Sequence, residues 1–82
     1  MNHVKLLFFA TLRDRAGRKS MELDVPLDLT IQGLKEKISS EYPNLKDSMK
    51  SVLITINREY AFDEAVIPQE AELAMFPPVS GG

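Results

Sequence analysis

The first part of the chain contains two segments whose apolar residues are spaced as in β-strands. Residues 4–10 are mostly apolar, and residues 21–25 alternate apolar and polar side chains with a period of two, which is typical of strands. Gly17 lies between these segments and is a suitable turn residue. We therefore predict a hairpin whose two strands are joined by a long loop.

The middle of the chain has the pattern of a helix. Apolar residues recur at helical spacing, at Ile31, Leu34, Ile38 and Tyr42. Thr30 is a good N-cap residue for this helix, and Pro43 explains why the helix ends. The apolar stripe is expected to lie on a sheet. Leu45 and Met49 are four positions apart and predict a further helical turn.

The rest of the chain contains three more strand patterns. Residues 52–56 form a run rich in β-branched side chains, which is typical of a buried strand, and Asn57 and Arg58 then turn the chain. Short strands are predicted at 60–62 and 72–76, and the two prolines that follow prevent further ladder pairing. One main helix packed on one face of a mixed sheet of four to five strands predicts an α+β fold of the β-grasp type.

Strand alternation predicts an apolar patch on the face of the sheet away from the helix. In the first strand Val4, Leu6, Phe8 and Ala10 share one face, so Leu7 and Phe9 share the other. In the last strand Leu73 and Met75 share one face and Glu72, Ala74 and Phe76 share the other, so Phe76 points away from the core. Leu7, Phe9 and Phe76 are therefore predicted to form a docking surface, although isolated exposed apolar residues are also common without any function.

The sequence ends in Gly81 and Gly82. Because glycine has no Cβ, a diglycine end can thread a narrow channel and place its carboxylate beside the catalytic groups of another protein. We expect residues 1–76 to form the domain and residues 77–82 a flexible tail that carries a reactive terminal carboxylate. The alternative is a frayed end, since small residues are common in disordered termini.

Composition excludes several function classes. The 82 residues fit one globular domain, and without cysteine the chain has no thiol nucleophile and no disulfide, so any sulfur it handles must come from elsewhere. A net charge of −2 disfavours nucleic-acid binding. The apolar run near the N-terminus is too short to span a membrane or to act as an export signal, so we expect no membrane association and a cytoplasmic location.

Other polar residues have simpler explanations than catalysis. Arg13, Arg15, Arg18 and Lys19 cluster in the predicted hairpin loop, where a solvated loop is favoured over an acidic or phosphate partner. His3 has no second histidine or cysteine with which to complete a metal site, so we assign it no role and predict no metal site. No glycine-rich phosphate loop is present, so we predict no bound cofactor, and any ATP must bind another protein.

Three segments together resemble a known family. They are the opening residues 4–13, Ile56–Asn57 before the late turn, and the closing residues 74–82, whose Phe-Pro-Pro-Val-Ser-Gly-Gly is far more distinctive than Gly-Gly alone. The sequence is similar to the small subunits of molybdopterin synthase, a ubiquitin-like sulfur carrier family. The likeness covers nearly the whole chain. It departs at residues 68–71, where relatives often place a Gly-Asp turn.

The resemblance implies sulfur-transfer chemistry at the C-terminus. An ATP-using activating enzyme, a ubiquitin-activating-like adenylyltransferase, would adenylate the Gly82 carboxylate, and a protein persulfide would then provide the sulfur of a thiocarboxylate. That thiocarboxylate would attack precursor Z (cyclic pyranopterin monophosphate), and two rounds would build the molybdopterin dithiolene. The chain would thus be the sulfur-donating subunit of an enzyme. From Phe76 to Gly82 an extended segment reaches roughly 23 Å, at about 3.3 Å per residue.

The resemblance also implies partners and contact residues. The large synthase subunit would form a heterotetramer with this chain. Phe9, Tyr60 and Phe76 match family positions that pack against both the large subunit and the activating enzyme, and the other partner contacts would be Leu7, Pro77, Pro78, Val79 and Ser80. Gly81 would thread the channel and Gly82 would react. Three alternatives stay open. The first is a sulfur carrier for thiamine thiazole synthesis, the second is a protein modifier joined through Gly82 to lysines, and the third is a β-grasp binding module whose terminus has no chemical role.

Overall fold

The structure is a computed structural model that describes residues 1–78. The predictions for Val79, Ser80, Gly81 and Gly82 lie outside these residues, and the division at residue 76 stays a prediction. The elements in chain order are β1 (Asn2–Phe8), α1 (Thr11–Ala16), β2 (Ser20–Val25), α2 (Ile31–Glu41), β3 (Leu53–Ile56), β4 (Glu59–Tyr60) and β5 (Glu72–Phe76).

The strands form one mixed sheet in the order β2-β1-β5-β3-β4. β1 and β2 are the predicted antiparallel hairpin, while β5 runs parallel to β1 and antiparallel to β3. The first and last strands of the chain are therefore central neighbours, and β2 and β4 are the edges. This sheet with α2 packed on one face confirms the predicted β-grasp fold.

The main helix begins where the sequence predicts. The Thr30 hydroxyl accepts a hydrogen bond from the Gly33 backbone N–H at 3.1 Å, which satisfies one of the free donors of the first turn. Ile31, Leu34 and Ile38 are fully buried and face the sheet side of the core. The other core residues include Val4, Leu6 and Phe8 of β1 and Leu73 and Met75 of β5.

The segment between the first two strands differs from the prediction. Residues 11–16 form the helix α1 instead of a loop, because Leu12 is buried in the core and Gly17, at φ 74°, caps the helix in the left-handed conformation. The first strand ends at Phe8, two residues earlier than predicted. Ala10 has a φ of 53° and is exposed, so its predicted place on the core face is wrong.

Two smaller predictions are corrected in the second half of the chain. Leu45 and Met49 are both buried as expected, but each belongs to a separate 3₁₀ turn, Pro43–Leu45 and Ser48–Lys50. The strand predicted at 60–62 is only the two-residue β4, and Phe62 lies beyond it with 82% of its surface exposed. The pairing with β3 ends after Ala61, whose N–H donates to the Ile54 carbonyl at 3.0 Å, because the chain then turns and the Phe62 carbonyl accepts the Ala65 N–H at 3.0 Å.

The loop before β5 is fixed by a side chain from the opposite end of the sequence. Asn2 is buried, and its side-chain amide donates to the Pro68 carbonyl at 2.8 Å and to the Ile67 carbonyl at 3.4 Å. Its side-chain oxygen accepts the Glu70 N–H at 2.8 Å. Glu70 has a φ of 56°, a conformation that favours glycine.

Neither helix within residues 1–78 has the length and apolar composition that a membrane span requires.

Candidate docking surface and the base of the C-terminal tail

Two aromatic rings stack on the face of the sheet that the main helix leaves open. The ring centroids of Phe9 and Phe76 are 4.7 Å apart and the ring planes differ by 9°. Phe9 follows β1 and Phe76 ends β5, and because these strands are parallel neighbours their C-terminal ends coincide. The predicted meeting of these two residues on the open face is therefore confirmed in geometry.

A row of side chains crosses four strands beside this stack. Leu7 pairs with Ala74, Ala74 with Thr55, and Thr55 with Tyr60. Ala74 and Thr55 are small and only 8% and 7% exposed, whereas Tyr60 at the edge is 74% exposed. The small central residues and the larger flanking ones make the row concave.

The resulting groove has a volume of about 400 Å³. Its floor is Leu7, Thr55 and Ala74, and the two stacked rings, Tyr60, Arg58 and Glu72 form its rim. Leu53 pairs with Phe76 and continues the apolar surface toward Phe62 on the β4 side. A partner that packs here would meet an apolar centre with a polar border, as in many protein interfaces. We call Leu7, Phe9, Ala74, Phe76 and Tyr60 the open-face patch.

The turn after β3 holds one rim of the groove. Asn57 and Arg58 both have positive φ, 49° and 74°, as in the type I′ turns that suit hairpins. Asn57 is bonded twice to Glu72, since its N–H donates to the Glu72 carbonyl at 2.8 Å and its side-chain oxygen accepts the Glu72 N–H at 3.0 Å. This double contact fixes the turn, and Arg58 with it, relative to the start of β5.

The opposite corner of the open face is charged. The His3 imidazole lies 2.8 Å from both a Glu22 and an Asp24 carboxylate oxygen. These hydrogen bonds, first the one with Glu22 and then the one with Asp24, raise the pKa of His3 above 6.5. Lys5 lies between Glu22 and Glu72 in the strand register. The open face is therefore apolar at the tail end and ionic at the other, which limits the extent of an apolar contact.

The start of the C-terminal segment lies against α1. Pro77 and Pro78 line a small groove of about 260 Å³ together with Thr11, Leu12 and Arg15 of α1, and Asp47, Ser48 and Ser51 of the second 3₁₀ turn. Neither proline has an N–H for further pairing with β1, so the chain leaves the sheet at Phe76. The open-face patch and the tail base are thus adjacent.

The structure brings together most of the residues that the sequence singles out. Leu7, Phe9, Tyr60 and Phe76 line one groove, while Pro77 and Pro78 begin beside it. The alternation of the last strand places Ala74 on the face of Phe76, although it does not single out Ala74 as a contact residue. Sequence reasoning missed Thr55 and Arg58, which only strand register places in the groove. Whether these residues contact a partner stays a prediction.

No group of acidic or histidine side chains within residues 1–78 has the geometry of a metal site. The cluster of His3, Glu22 and Asp24 is an ion-paired corner, in which hydrogen bonds already occupy the imidazole nitrogens.

Comparison with known proteins places the chain in a family. The ThiS family matches residues 6–82. The chain belongs to this family. A molybdopterin synthase sulfur carrier subunit from Dictyostelium discoideum is 36% identical over 84 residues, covering 99% of this chain and 98% of that protein. The corresponding subunit from Arabidopsis thaliana is 33% identical over 79 residues, covering 96% of this chain and 82% of the relative.

Solved structures show the same fold in two functional settings. The small archaeal modifier protein 1 (SAMP1) of Haloferax volcanii superposes with a TM-score of 0.82 at 28% identity, covering 99% of this chain and 100% of that one. SAMP1 of Methanosarcina acetivorans superposes with a TM-score of 0.78 at 27% sequence identity, covering 100% of this chain and 98% of that one. The complex of subunits 1 and 2 of the molybdopterin-converting factor from Helicobacter pylori contains a chain with a TM-score of 0.69 at 18% identity, covering 98% and 99%.

Proposed function

We propose that this protein is the sulfur carrier subunit of a molybdopterin synthase. The observation that carries the proposal is the aromatic stack of Phe9 and Phe76 beside Pro77 and Pro78, because it places an apolar docking surface at the base of the segment that ends in Gly82. The relatives named sulfur carrier subunits, which match over nearly the full length, support the same function.

The proposed chemistry takes place at the terminal carboxylate. A carboxylate is a poor electrophile, so an adenylyltransferase first joins Gly82 to AMP and releases pyrophosphate from ATP. A protein persulfide attacks this adenylate and displaces AMP. A thiol then reduces the resulting acyl disulfide, which leaves a thiocarboxylate on Gly82 and a disulfide on the donor side. This chain supplies no thiol, because it contains no cysteine.

The thiocarboxylate then acts as the nucleophile toward the pterin. Its sulfur forms a C–S bond to a side-chain carbon of cyclic pyranopterin monophosphate, and the C–O bond at that carbon breaks, so that the oxygen leaves with the opened phosphate ester or as water. A further water then hydrolyses the acyl–sulfur bond, which leaves sulfur on the substrate and restores the Gly82 carboxylate. Two such rounds supply the two sulfurs of the dithiolene. When the nucleophile is held in a channel, the reaction no longer needs a bimolecular encounter. This proximity effect lowers the activation free energy by up to about 7 to 11 kcal/mol in well-oriented cases.

The partner in the synthase is proposed to be a large subunit that packs on the open-face patch. Support comes from the Helicobacter pylori protein, which is described as a complex of two subunits of the molybdopterin-converting factor. Docking at Phe9 and Phe76 would direct the tail into the large subunit's pocket. A dimer of large subunits with one carrier at each end gives the heterotetramer.

The decisive experiment is an intact mass measurement. The chain is purified from a host with its own sulfur-transfer enzymes, and separately incubated with ATP, the cognate activating enzyme and a sulfide source. The expected result is the replacement of one Gly82 oxygen by sulfur. An unmodified mass under both conditions would overturn the proposal. The acceptor is then identified by incubating the thiocarboxylated chain and a partner enzyme with the pterin precursor or with the thiazole precursor, and measuring which of the two receives the sulfur.

Protein modification is a second candidate, favoured by the likeness to proteins named small archaeal modifiers. A modifier forms an isopeptide bond between Gly82 and a lysine of another protein. Gly82–lysine adducts in digests of the host proteome would support this function, and their absence alongside a thiocarboxylate would leave the dedicated carrier.

A further inference from the structure

The charge of this chain is unevenly distributed along the sequence. Residues 13–19 contain Arg13, Arg15, Arg18 and Lys19 against a single acid, Asp14, so this segment carries +3 in a chain whose net charge is −2. The remaining residues therefore carry −5. We call these four cations the basic collar.

The collar lies at the end of the sheet from which the C-terminal segment leaves. α1 directly follows Phe9, and Arg15 lines the groove that also contains Pro77 and Pro78. The Lys19 carbonyl accepts the Phe8 N–H at 2.8 Å, which fixes the far end of the collar beside the end of β1. All four side chains are exposed, and none forms an ion pair with another residue in the described range 1–78.

The other end of the molecule is acidic. β1 and β5 are parallel, and β2 runs antiparallel to β1, so the end of β2 and the start of β5 lie together, away from the tail. At this end the acidic residues Glu22, Asp24, Asp28, Glu70 and Glu72 outnumber the cations Lys5 and Arg58 and the imidazole of His3. The protein is thus polarised along its strands, with its positive end around the tail base.

We propose that the basic collar is recognised by an acidic protein surface at the mouth of the tail-binding channel of the activating enzyme. This inference rests on the proposed function and extends it to a second recognition element. A partner that takes up the tail must approach within contact distance of α1, since Arg15 and the prolines share one groove. Positive charges on that partner would repel the cationic collar, whereas carboxylates would attract it.

The exposure of the collar indicates a role in encounter. Exposed charges at the rim of an interface mainly change the association rate and its salt dependence. An activating enzyme must bind the carrier, adenylate it and release it, so fast association benefits it more than tight binding. Acidic carboxylates are favoured over nucleic acid as the collar's partner because the whole chain is acidic, with a pI near 5.3.

The test is adenylation kinetics with matched charge variants. Arg15→Gln with Arg18→Gln removes two charges from the collar. Lys37→Gln with Gln69→Glu lowers the net charge equally, on α2 and on the loop before β5. Pyrophosphate release by the purified activating enzyme is measured at about 50 mM and about 500 mM salt, where screening is weak and strong. Circular dichroism checks that both variants are folded.

At low salt the collar variant is expected to lower kcat/KM on the order of tenfold, through KM with kcat unchanged. At high salt the difference should disappear, and Arg15→Lys with Arg18→Lys should behave like the parent. The proposal would be overturned if the collar variant and the Lys37→Gln/Gln69→Glu control lowered kcat/KM equally, or if the loss of kcat/KM did not depend on salt. Salt-sensitive binding of the collar to a duplex RNA without any kinetic effect would assign it to nucleic acid instead. If the parent chain is not adenylated at all, the proposed function itself fails.

Discussion

Phe9 and Phe76 stack with their ring centroids 4.7 Å apart, although 67 positions separate them in the sequence. Parallel pairing of the first and last strands brings them together, and it is the same pairing that places the tail beside the open face. Stacked rings contribute about 0.5 to 1.5 kcal/mol beyond their buried area. Phe9 is 41% exposed and Phe76 is partly exposed, so part of the surface of this pair is available to a partner.

Replacing Phe9 or Phe76 by Asp is expected to abolish binding to the large subunit while the domain stays folded. The negative charge would be buried in an apolar interface, whereas in the free protein it stays in water. Binding is measured by calorimetry and folding by circular dichroism. Leu27→Asp is the control, since Leu27 is 56% exposed and lies in the loop after β2, outside the groove. Normal binding by the Phe9 and Phe76 variants, or their unfolding, would contradict the prediction.

The adjacent Phe8 provides a contrasting variant. It is only 2% exposed and belongs to the core. Phe8→Ala is expected to lower the free energy of unfolding by about 3 to 5 kcal/mol, since it leaves a cavity. Phe9→Ala, one position later, is expected to cost less, about 1 to 2 kcal/mol, because Phe9 is already 41% exposed and loses the stack and only part of a buried ring. Urea denaturation measures both, and similar losses would show that Phe9 has a core role.

Ala10 is predicted to be a strained position. Its φ of 53° lies in the half of the map that side chains with a Cβ avoid. Ala10→Gly is therefore expected to raise the free energy of unfolding by about 0.5 to 1 kcal/mol. Ala16→Gly, within α1, is the control and should lower it by about 1 kcal/mol. A loss of stability in Ala10→Gly would mean that the backbone is not strained there.

Most of the fold follows from local patterns in the sequence. The helical spacing of Ile31, Leu34 and Ile38, with Thr30 as the cap, fixes α2, and strict alternation in the last strand fixes which of its faces is buried. The open-face patch can also be predicted, because successive side chains of a strand point to opposite faces of the sheet. These features need no knowledge of distant contacts.

The features that sequence reasoning missed depend on tertiary structure. α1 has only six residues, too few for a repeated apolar stripe, and it is stabilised by burying Leu12. The positive φ of Ala10 ends β1 early, although no turn residue marks that position. Thr55 and Arg58 enter the groove through strand register, which a single sequence does not specify.

Asn2 is expected to be the most important polar side chain for stability in the described part of the domain. It forms three hydrogen bonds to the loop that precedes β5 and is 2% exposed. Asn2→Ala would leave the Glu70 N–H and the Pro68 carbonyl without their partner, and it should cost about 2 to 4 kcal/mol. Thermal unfolding measures this loss. His3→Ala, one residue later and exposed, is the control and should cost much less at neutral pH.

The loop that Asn2 holds should accept glycine. Glu70, at φ 56°, occupies a conformation that glycine adopts without strain and that β-branched residues avoid. Glu70→Gly is expected to leave stability unchanged or raise it by up to about 1 kcal/mol, whereas Glu70→Val should lower it by about 1 to 2 kcal/mol. Denaturant titration of the pair gives the difference. Equal stability of the two variants would argue against a left-handed backbone at this position.

The His3 corner predicts a pH dependence of known sign. Hydrogen bonds that the imidazole donates to Glu22 and Asp24 raise the pKa of His3 above 6.5 in the folded protein. Folding is therefore favoured by the protonated imidazole, and this contribution is fully present below pH 6.5 and is lost as the pH rises through the higher folded value. Above that value the neutral ring has one N–H, and only one carboxylate keeps its donor.

The measurement compares the parent with His3→Gln by urea denaturation from about pH 5 to about pH 8, the range in which histidine titrates. The stability advantage of the parent should be largest at low pH and should shrink as the pH rises. An NMR titration of the imidazole carbon protons gives the folded pKa directly. A folded pKa at or below 6.5, or an advantage that grows with pH, would show that the two carboxylates do not hold the imidazolium in solution.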